Sequence, residues 1–62
     1  MKLTITQSNT HYIITDESGL TLRILTKKAL VWNLKHAFGF SSDRLKAIGQ
    51  ELQDKGVTKV AV

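Results

Sequence analysis

The sequence predicts a two-layer α+β domain: a three-stranded antiparallel meander, a helical hairpin and a fourth strand, in the order β-β-β-α-α-β. Three observations predict it. Up to about residue 25 apolar side chains recur at every second position, as in strands with one buried face. Beyond that point the recurrence lengthens to about 3.6 residues, the period of an amphipathic helix. And 62 residues allow a single domain with a thin core, since a chain of that size buries only about 60% of its unfolded surface.

Leu3 and Ile5 alternate with Lys2, Thr4 and Thr6, giving a first strand with β-branched filler. Gln7-Ser8-Asn9-Thr10 is turn chemistry, because Asn tolerates positive φ and Ser bonds neighbouring backbone. His11 to Thr15 reads as the second strand. Asp16-Glu17-Ser18-Gly19 reads as a second turn, with Gly19 at the left-handed position of a bulged hairpin. Leu20, Leu22 and Ile24 alternate with Thr21 and Arg23 in a third strand.

Thr26 is placed to cap a helix running from Lys27 to about Phe38, with Gly39 as its stop. At about 100° per residue, Leu30, Val31, Leu34, Ala37 and Phe38 share one face. A second helix is expected from Ser41 or Ser42 to about Lys55, with Leu45, Ile48, Gly49 and Leu52 as its apolar stripe. Gly56 supplies the stop, and Val57 to Val62 form the last strand, beside strand one or strand three. Both helices are expected over the sheet face carrying Leu3, Ile5, Leu22 and Ile24, leaving a Thr-rich face in water. The expected core stripe between the layers is Leu30, Leu34, Phe38, Ile48 and Leu52.

The chain has no cysteine, so disulfides, thiolate metal sites and Cys nucleophiles are excluded. Leu3 to Thr10 contains no apolar signal-peptide core, and no apolar run approaches the roughly 20 residues of a membrane span. A cytosolic protein without membrane contact is expected. The two histidines, His11 and His36, have no carboxylate at helical spacing, and no nucleophile–base–acid arrangement emerges. The glycines are too scattered to cradle phosphate. The expectation is a non-enzymatic binding module without cofactor or metal.

Charge is more informative. Nine Lys and Arg against five Asp and Glu give +4. Between Glu17 and Asp43 lie Arg23, Lys27, Lys28 and Lys35 with no acid, and that window carries the whole excess. Cations at a helix N-terminus oppose its dipole by about 0.3–1 kcal/mol each, yet they suit an anion that would meet ammonium groups and free amides together. Trp32 falls on the polar side of its own helix, with Lys28, Lys35 and His36 at i−4, i+3 and i+4. An indole among cations is suited to stack a base or to anchor a protein contact.

Two helices about Gly39–Ser41 raise a helix-turn-helix arrangement. Lys35 stands where that turn needs a small residue, and the second helix is neutral, whereas a groove-reading helix carries positive charge. The Thr-rich sheet face with Arg23 is a weaker DNA-facing option. The favoured expectation is nucleic-acid binding through Arg23, Lys27, Lys28, Trp32 and Lys35. The alternative is a protein-interaction or self-associating domain, a homodimer being one form of it, that uses Trp32 or an open strand edge.

Overall fold

A computed structural model describes all residues, Met1–Val62. The elements follow the expected order: β1 (Lys2–Gln7), β2 (Tyr12–Asp16), β3 (Thr21–Ile24), α1 (Lys27–His36), α2 (Ser42–Lys55) and β4 (Val57–Ala61). The sheet is antiparallel throughout with spatial order β3-β2-β1-β4, so the last strand joins the β1 side of the meander. Edges are therefore β3 and β4.

Strand register sets the two faces. Ile5 lies opposite Ile14 and Thr58, Leu3 opposite Val60, and Tyr12 and Ile14 opposite Ile24 and Leu22. This face meets the helices, and Leu3, Ile5, Ile14, Ile24 and Thr58 are buried there. The other face carries Thr4, Thr6, Ile13, Thr15, Thr21 and Arg23, the threonine-rich layer an antiparallel sheet can leave in water. Coverage of the inner face is uneven. Leu22 shares it with Ile24 yet stays 45% exposed, because the helical layer stops short of the β3 edge there.

The hairpin joining β2 to β3 follows from its residues. Gly19 adopts φ 91°, its N–H bonds the Asp16 carbonyl at 3.1 Å, and the Asp16 N–H bonds Leu20 at 3.0 Å. The Asp16 carboxylate accepts from the Ser18 hydroxyl at 2.7 Å and from the amides of Ser18 and Leu20. These bonds, the hydroxyl's foremost, hold its pKa below the ordinary 3.8, against a smaller opposing effect of desolvation.

Both helices start where their capping residues predict. The Thr26 hydroxyl accepts from the Ala29 N–H, and the Ser41 hydroxyl from the Arg44 N–H. α2 ends at Gly56, whose φ of 78° is left-handed and whose N–H bonds the Leu52 carbonyl. In α2, Ile48 and Leu52 are buried and Leu45 and Gly49 half-buried, as its stripe requires.

The first helix departs from expectation at its C-terminal end. α1 stops at His36, two residues before the expected end at Phe38. Gly39, at φ 74°, then redirects the chain, and its N–H returns to Lys35 while that of Phe40 returns to Leu34. Phe40 rather than Phe38 is thereby the buried aromatic, at 5% exposure, and Phe38 is only half-buried beside it. Val31 and Ala37, expected on the apolar face, are exposed. The remaining core members Leu30, Leu34, Ile48 and Leu52 hold their places.

Arg44 completes this corner. Its guanidinium lies 4.5 Å from the centre of the Phe40 ring and donates to the Ala61 carbonyl at 2.6 Å. One side chain thus covers the core aromatic and also pins the outer edge of β4.

Candidate nucleic-acid interface

Helix α1 presents two opposite faces. Leu30 and Leu34 point into the core, and Trp32 lies roughly 180° from their mean direction at 100° per residue. The indole is accordingly 61% exposed. Lys28 and Lys35 flank it one turn before and one turn after, and both are exposed. The His36 ring sits beside the indole with centroids 4.7 Å apart and planes inclined by 35°. Together the two rings form an aromatic platform between two ammonium groups. His36 has an i+4 relation to Trp32 that the sequence already displays, and it joins the site as a ring partner.

The start of the helix adds to this field. Thr26 satisfies the Ala29 amide through its hydroxyl and the Leu30 amide through its carbonyl. The amides of Lys27 and Lys28 have no intrahelical partner, and the first turn carries no acidic residue. Nothing on this turn offsets the positive end of the helix dipole. A shallow depression between Thr26, Lys28, Ala29, Trp32 and Asn33 runs alongside the indole.

The five residues singled out in the sequence do not all converge. Lys28, Trp32 and Lys35 share the outward face of α1. Lys27 lies on its flank and borders a cleft of about 350 Å³ between the helices, whose walls include Val31, Leu45 and Gly49. Arg23 lies opposite Ile13 on the far side of the sheet from both helices. It contributes to the overall positive field but not to the α1 face.

The other polar clusters are occupied locally. His11 Nδ1 is within hydrogen-bond distance of the Ser8 and Thr10 hydroxyls, at 3.1 and 2.9 Å, inside its own turn. No three His, Cys, Asp or Glu side chains come together. No helix is long and apolar enough to cross a membrane. No protein-family model, curated protein or solved structure matches the chain.

Proposed function

We propose that the outward face of α1 binds nucleic acid, with Lys28 and Lys35 on phosphates and Trp32, backed by His36, stacked on an unpaired base. The observation that carries this reading is the position of Trp32, directed away from the core and set between two lysines on an acid-free helix. A large indole left 61% exposed keeps apolar area in water that burial would stabilise. A partner with a π-face and negative charge recovers that area and matches the flanking cations. In this reading Lys27, from the flank of the helix, supplies the third phosphate contact.

Three phosphates neutralised give a fall of log affinity with log salt of slope about −3 on duplex or about −2 on single strands. Trp32→Ala removes a solvent-exposed side chain and is expected to shift stability by no more than about 0.5 kcal/mol. It should nonetheless lose about 1–3 kcal/mol of binding. Lys28→Ala or Lys35→Ala should weaken all sequences alike and lower the slope by about one unit, while Arg23→Ala, on the far face, should leave it nearly unchanged. The test is titration of a labelled oligonucleotide against these variants over a range of salt. Absence of binding even at about 50 mM salt, where phosphate contacts are strongest, would replace this reading with a protein contact centred on Trp32.

A further inference from the structure

We infer that β3 is a self-pairing edge, and that two copies of this chain join there into one continuous eight-stranded antiparallel sheet. The two sheet edges differ in how they are protected. On β4 the outward-facing Ala61 carbonyl is taken by Arg44, whose side chain arches over the strand end from α2. β3 has no such cover. Because the Leu20 carbonyl accepts from Asp16, the even-numbered residues of this strand turn their polar groups toward β2. The N–H and C=O of Thr21 and Arg23 therefore point outward with no strand beyond them. The strand holds no proline or acid, and its single charge, Arg23, stands on the far face.

The occupant follows from the residues at this edge. Antiparallel pairing about a two-fold axis at Leu22 sets Thr21 opposite the partner copy's Arg23, and the reverse, so both free pairs exchange hydrogen bonds. The same register places Leu22 against its own mate on the helix side, in the close non-hydrogen-bonded position. It also brings Leu20 opposite the mate of Ile24. Leu22 is 45% exposed and Leu20 72%, and both gain cover from this pairing alone. The neighbouring registers are worse. Centring on Arg23 sets two guanidinium groups opposite each other, and centring on Thr21 drives the strand into the Gly19 turn. A two-fold axis normal to the sheet also puts both α1 helices on the same layer.

A four-strand-residue edge with two leucines is a small interface, so dimers in the micromolar range are expected. Sedimentation equilibrium of the full chain up to about 100 μM, a concentration at which such weak pairs are populated, should show twice the 6.9 kDa monomer mass. Leu22→Lys, which sets two ammonium groups at the axis, should return the monomer. Thr21→Pro deletes an outward N–H along with the hydroxyl's 3.4 Å bond to the Gly19 carbonyl, leaves every basic residue in place, and should do the same. Circular dichroism confirms which variants are folded, and either folded variant suffices. A wild-type monomer across that range would overturn the inference, and so would a dimer that persists in a folded variant. Neither result bears on oligonucleotide binding by α1, which is read separately.

Discussion

Replacing Phe40 by alanine removes the one aromatic side chain that is fully enclosed, at 5% exposure. It lies between α1 and α2, with Phe38 at 6.3 Å and the Arg44 guanidinium over its ring. Truncation of a buried Phe costs about 3–5 kcal/mol, the lost transfer energy plus a cavity. At 0.05–0.15 kcal/mol per residue, a domain of this length has only about 3–9 kcal/mol in total. One kcal/mol corresponds to about 4–8 °C in melting temperature at this size, so the variant should melt at least about 12 °C lower or not fold at all. Phe38→Ala, half-buried, should lose about 1–2 kcal/mol. Thermal and urea melts followed by circular dichroism measure both. A Phe40→Ala protein that melts cooperatively within a few degrees of the wild type, or a Phe38→Ala protein that proves the more damaged of the two, would refute the packing described at this corner.

Gly49 occupies the interior of α2 with nothing within 4 Å of where a Cβ would stand, so its backbone freedom answers no steric need. Gly49→Ala should therefore stabilise by about 0.5–1 kcal/mol, read as a higher urea midpoint, and a lower one would mean that the cleft beside it closes more tightly than described. Asp16 has a folded pKa below its unfolded value, so its contribution to stability is complete above about pH 4 and is lost as pH falls through the folded value. Ser18→Ala, which removes the principal donor, should shrink the loss of urea midpoint between neutral pH and pH 3, and an unchanged loss would assign the acid sensitivity elsewhere.

Much of the fold is legible in the sequence because its punctuation is explicit. Thr26, Ser41, Gly19 and Gly56 each stand where a cap or a left-handed turn needs that residue type, and each acts there. Phe40 was not legible. The helical period extrapolates through Phe38, but the end of α1 depends on where Gly39 can redirect the chain, and beyond a helix end the spacing of residues no longer encodes direction. The uncovered β3 edge was hidden for a related reason. Alternation assigns Leu22 to the inner face, but not how far two short helices extend across a four-stranded layer. At the site, the outward position of Trp32 and its lysine neighbours follow from spacing within one helix. The separation of Arg23 from them needs the sheet register, which no local pattern contains.

The emission of Trp32, the only tryptophan, tests the central claim most directly. An indole directed away from the core and 61% exposed should emit with a red, water-like maximum in the free protein. At low salt, addition of a single-stranded oligonucleotide should quench that emission as the base stacks, and Lys28→Ala should require more oligonucleotide for the same quench. A blue maximum in the free protein, or a red one that saturating oligonucleotide leaves unchanged, would contradict the account.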